Sequence, residues 1–60
     1  REGQARELNN IGSVHKAKGD LNRALKYYNK SLTIYEEMGM PKQIGIVKGN
    51  IERISRQMKK

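Results

Sequence analysis

Apolar residues recur at steps of three and four in three successive stretches of this chain. Leu8 and Ile11 line up with His15 in the first. Leu21, Ala24, Leu25, Tyr28, Leu32 and Tyr35 line up in the second, and Ile44, Val47, Ile51, Ile54 and Met58 in the third. Side chains at that spacing share one face of a 3.6-residue helix. The pattern predicts helices over about residues 3–18, 21–38 and 41–58, after a frayed lead-in at Arg1 to Gln4.

The residues between the stripes support these bounds. Lys16 and Lys18 suit the negative end of a first helix. Gly19 is placed to stop it in a left-handed conformation, and Asp20 is a good N-cap for the second. Gly39 repeats the stop, and Pro41 suits a first helical turn, where its missing N–H costs nothing. Small residues (Gly12, Ala24 and Ser31) stand on the packing faces. Gly12 gives up about 1 kcal/mol of helix propensity against Ala, so a close approach of the first two helices is expected at Gly12 and Ala24. Gly45 and Gly49 weaken the third helix by a similar amount each, so packing must hold it.

Leu8-x2-Ile11-Gly12-x2-His15, then Ala24-x3-Tyr28, resembles the tetratricopeptide repeat, whose pattern is W-x2-L-G-x2-Y, A-x3-F, P. Gly19-Asp20 matches the family's turn, and Ser31 stands at its third small position. The resemblance covers residues 5–38. Leu8 replaces the family's aromatic, His15 its Tyr and Glu36 its Pro, which favours the subclass with a period of about forty residues. Shifted by forty, Gly45 falls on Ala5, Asn50 on Asn10 and Ile51 on Ile11, but Glu52 falls on Gly12 and no second Gly-Asp turn follows. The resemblance therefore implies an all-α fold: one helix-turn-helix repeat and a degenerate third helix that caps it, the end of an α-solenoid, with residues 1–60 forming one unit.

Charge adds a direction to this picture. Residues 1–40 hold seven Lys and Arg against five Asp and Glu, and residues 41–60 hold six against one, for a net +7. Such a surface favours acidic partners. Cysteine is absent, so neither disulfide nor thiolate chemistry is available. No apolar run approaches the length of a membrane span. Nothing points to secretion, and a cytoplasmic setting is the default expectation. The chain starts at Arg1 and reads as an excised piece.

No catalytic constellation emerges. His15, the sole histidine, has no companions at metal-ligand spacing and reads as a packed or half-buried residue. Glu36 and Glu37 are adjacent, so they do not converge. Tyr28 and Tyr35 lie on the apolar stripe, which leaves Tyr27 as the exposed candidate for stacking. The expectation is a non-enzyme without cofactor or metal.

The family resemblance implies a concave side formed by the first and third helices. Arg6, Asn10, Ser13, Lys16 and Ala17 share it on the first, and Ile46, Asn50, Arg53 and Gln57 on the third. An Asn before Ile commonly bonds an extended peptide backbone in the long-period subclass, and an amide can both donate to and accept from a peptide unit. The expected peptide-binding set is Arg6, Asn10, Ser13, Lys16, Asn50 and Arg53, the partner an acidic protein segment. Two alternatives stand beside it: binding of nucleic acid or another anionic surface by the third helix, and a purely structural array terminus. Self-association through the open flank of the first two helices, or by exchange of the third, is a further expectation.

Overall fold

The computed structural model describes residues 1–59. It holds three α-helices: α1 (Glu2–Ala17), α2 (Leu21–Met38) and α3 (Pro41–Met58). α1 starts and ends one residue before the span its periodicity predicts. Both turns are built alike. After α1, Gly19 takes φ +83°, Gly19 N–H reaches the Lys16 carbonyl at 3.0 Å and Asp20 N–H the His15 carbonyl at 2.9 Å. After α2, Gly39 takes φ +65°, with Gly39 N–H on Glu36 and Met40 N–H on Tyr35 at 3.2 and 3.1 Å. Each is a Schellman closure, which satisfies two last-turn carbonyls and needs a left-handed residue that glycine supplies. The Asp20 carboxylate accepts from Arg23 N–H at 3.3 Å, and Pro41 opens α3.

α1 and α2 meet through their smallest side chains. Ala5 and Gly12 are the buried residues of α1. They face Ala24, Tyr28 and Ser31 of α2. A methyl group placed on Gly12 would stand 2.8 and 2.9 Å from Tyr28 ring carbons and 3.2 Å from the Ala24 carbonyl oxygen. The expected approach at Gly12 is therefore present, and the Tyr28 ring is its nearest partner, ahead of Ala24. Ser31 is fully buried, and its hydroxyl donates to the Ala5 carbonyl at 2.7 Å. This bond ties the small packing residue of the third turn of α2 to α1. Leu8, Ile11 and His15, the predicted stripe of α1, are only half-buried. On α1 a large side chain on the line of closest approach would collide with the Tyr28 ring, so these residues flank it.

α3 packs on the other side of α2. Val47 and Ile54 are buried, and Ile44 and Ile51 pack partly against the same cluster. Met58 is 45% exposed, so the seam closes before the last turn. At a shift of forty, Gly45, Lys48, Glu52 and Arg56 of α3 stand where Ala5, Leu8, Gly12 and Lys16 stand on α1. On α1 that line receives α2. On α3 it is exposed and carries a Glu52–Arg56 ion pair. A face so polar is that of a capping helix.

The glycines then predict opposite signs for one substitution. Gly12→Ala gains about 1 kcal/mol of helix propensity but overpacks a buried contact at about 1–3 kcal/mol, so a thermal melt should show a net loss; Gly12→Leu should unfold the chain. Gly45 and Gly49 have nothing within 4 Å of an added Cβ. Gly45→Ala and Gly49→Ala should each raise stability by about 0.5–1 kcal/mol, or several degrees in Tm for so small a domain. Ser31→Ala should cost about 1–3 kcal/mol, because it removes a buried hydrogen bond.

Candidate functional site

α1 and α3, both held by α2, come together along the side that carries Asn9, Ser13 and Asn50. Asn50 Nδ2 donates to Asn9 Oδ1 at 3.4 Å. Arg53, one turn further along α3, donates through its guanidinium to Asn50 Oδ1, also at 3.4 Å. The three side chains make one polar chain across the α1–α3 seam. On α1, Ser13 Oγ and the Tyr28 hydroxyl are 2.8 Å apart. Tyr28 is 1% exposed, so its ring fills the core while its hydroxyl reaches the seam. This is the usual settlement for a buried tyrosine.

The six residues expected at the groove divide as follows. Asn50 and Arg53 are joined to each other, and Ser13 is joined to Tyr28. Arg6 and Asn10 are exposed and Lys16 is half-buried. Arg6, Ser13 and Lys16 lie at steps of seven and three on the same helix as Asn9, and they extend the polar line along α1. The amide that meets α3 is Asn9, where the sequence reading singled out Asn10. The difference is one residue, or about 100° around the helix. The buried line Ala5–Gly12 contains the missed signal: Asn9 lies midway on it, at steps of four and three, whereas Asn10 falls outside. The Tyr28 hydroxyl was missed as well, since its stripe position reports only that the ring is buried.

The other candidates are engaged in packing. His15 stacks on Tyr27, with ring centroids 5.4 Å apart and planes inclined by 9°. Lys30 Nζ lies 5.6 Å from the centre of the same Tyr27 ring. Tyr27 is therefore a half-buried wedge on the α1–α2 edge and not the free aromatic its sequence position suggests. Glu37 pairs with Arg1, which ties the start of α1 to the end of α2. Among the described residues no cavity is enclosed, no cluster of His, Asp or Glu converges on a point, and no helix is long and apolar enough to cross a membrane. What the site offers is a shallow cationic strip rich in amide and hydroxyl groups. Such a strip can exchange hydrogen bonds with a main chain and attract carboxylates.

No curated protein and no solved structure matches the chain. A family model does match, that of the tetratricopeptide repeat, over residues 5–40 and so over more than half of the chain. The match takes in α1 from Ala5 onward, the Gly19–Asp20 turn and all of α2. It agrees with the all-helical architecture and with the close Gly12–Tyr28–Ala24 contact. Repeats of this kind are protein-interaction modules. The chain belongs to the tetratricopeptide-repeat family, as one repeat followed by a capping helix.

Proposed function

We propose that the chain binds an extended, acidic segment of another protein along the strip between α1 and α3, as part of a scaffold or adaptor and without catalysis. The observation that carries this reading is the Asn9–Asn50–Arg53 chain across the seam. It holds an amide and a guanidinium in place beside an unbonded stretch of the same strip, where Arg6, Asn10 and Lys16 stand. Pre-positioned polar groups lose less entropy on binding than free ones, and arginine is suited to carboxylates through its planar fork. Asn10 supplies a main-chain contact from the exposed side. Asn9 acts through Asn50, by holding it in place. The cationic excess of the third helix speeds the encounter with an acidic segment.

Binding of acidic, neutral and basic decapeptide pools to the immobilised chain tests this reading. The acidic pool should bind, with a dependence on peptide sequence that persists at about 0.15 M salt. Arg6→Glu and Arg53→Glu should each weaken it about tenfold or more, since each turns an attraction into a repulsion. Asn10→Ala should cost about 1 kcal/mol, or fivefold, with helix content unchanged in circular dichroism. Lys48→Glu and Arg56→Glu, on the outer face of α3, should change affinity little. The anionic-surface reading expects the reverse: loss in the outer-face variants, none in Asn10→Ala, and a steep, sequence-blind fall with salt. That pattern would discard the groove.

A further inference from the structure

One flank of α1 lies outside both the α2 contact and the groove. Glu7, Ile11, Val14 and Lys18 follow one another on it at steps of four, three and four. At about 100° per residue they fall within roughly 60° of one another. Glu7, Val14 and Lys18 are exposed and Ile11 is half-buried. Val14 is 52% exposed, among the most exposed of the large apolar side chains. At the shift of forty, Ile11 and Val14 stand where α3 carries Ile51 and Ile54, which α3 packs into the core. The flank thus has the register of a helix-packing face.

Its order is acid, apolar, apolar, base. Read in the opposite direction, that order is its own complement. Glu7 lies four residues before Ile11, and Lys18 four residues after Val14. When a second α1 is laid antiparallel across the first, with the two-fold axis between Gly12 and Ser13, Ile11 meets the partner's Val14. Glu7 meets the partner's Lys18, and two-fold symmetry repeats both contacts. We propose that the chain pairs with a second copy of itself through this flank, α1 antiparallel to α1. The contact is isologous and closes on itself, so it gives dimers and not filaments. It is also small. One helix pair falls below the roughly 1,200 Å² of a standard interface, the size class of weak and transient contacts. The +7 charge of each chain opposes pairing at low salt and is screened over about 8 Å at physiological ionic strength.

Sedimentation equilibrium of the chain at about 0.15 M salt, from roughly 10 μM to 1 mM, reads this out. The weight-average mass should climb from the monomer toward twice that value. Val14→Lys should hold it at the monomer with helix content unchanged, because the position is exposed in the folded chain. Glu7→Lys and Lys18→Glu should each weaken pairing about tenfold, since each reverses two exposed ion pairs worth under fivefold apiece. An equimolar mixture of those two variants should restore pairing to near the parent value, because each cross contact again joins opposite charges. A monomer mass throughout overturns the proposal and leaves the flank to a helix from another protein or from a longer chain. So does undiminished association of Val14→Lys, which would place the contact elsewhere, for example in exchange of α3. Failure of the mixture to recover would rule out the antiparallel register.

Discussion

The absence of a side chain at Gly12 sets the distance between α1 and α2, and much of the remaining structure follows from that distance. With no Cβ in the way, the Tyr28 ring lies over the α1 backbone, and the Ala24 carbonyl comes within 3.2 Å of where that Cβ would be. The same closeness brings the Ser31 hydroxyl to the Ala5 carbonyl. It also carries the Tyr28 hydroxyl through the core to Ser13. Core packing and groove position are therefore coupled through one ring. Widening the contact by one methyl group would shift Tyr28, and with it the floor beneath Ser13. Cores packed at crystal-like density transmit such displacements and do not absorb them.

The charges are divided between two surfaces, the side of the proposed groove and the outer face of α3. Arg6, Lys16 and Arg53 stand toward the groove; Lys48 and Arg56 stand on the outer face of α3, where Arg56 is paired with Glu52. The outer face is where a further repeat helix would have to dock, and burying such charges unpaired costs several kcal/mol each. One helix can thus end the stack on its outer side and carry Asn50 and Arg53, the residues of the proposed groove, on its inner side. The Asn9–Asn50 bond joins α1 to α3 where little else does.

A chain of sixty residues has a small margin of stability, and several of its choices spend it. Gly45 is exposed and Gly49 half-buried, and neither has a close neighbour to require it. Val14 and Met58 leave apolar area in water. The first pair lowers the stability of α3 and has no structural explanation. Val14, by contrast, belongs to the flank whose order of charges matches a second copy.

Three helices, their turns and their bounds to within one residue are written in local features: the three-four step, the two glycines at positive φ, Asp20 as a cap, and Pro41 as a first residue. Each acts within five residues, so no knowledge of the fold is needed to read it. Family membership is legible for the same reason, since the motif is a set of spacings on two adjacent helices. Identity of the packing line is not local. On α1 the stripe Leu8, Ile11 and His15 announces a face, but Ala5 and Gly12 hold the centre of it. Two helices approach most closely where side chains are smallest, and only the partner surface shows where that is. The same rotation turns Asn9 toward α3 and Asn10 toward solvent, a difference of one step in a sequence where both are the same amino acid. Ser31 faces α1, and the Tyr28 hydroxyl emerges at Ser13, because the tertiary contact sets the depth and direction of each side chain.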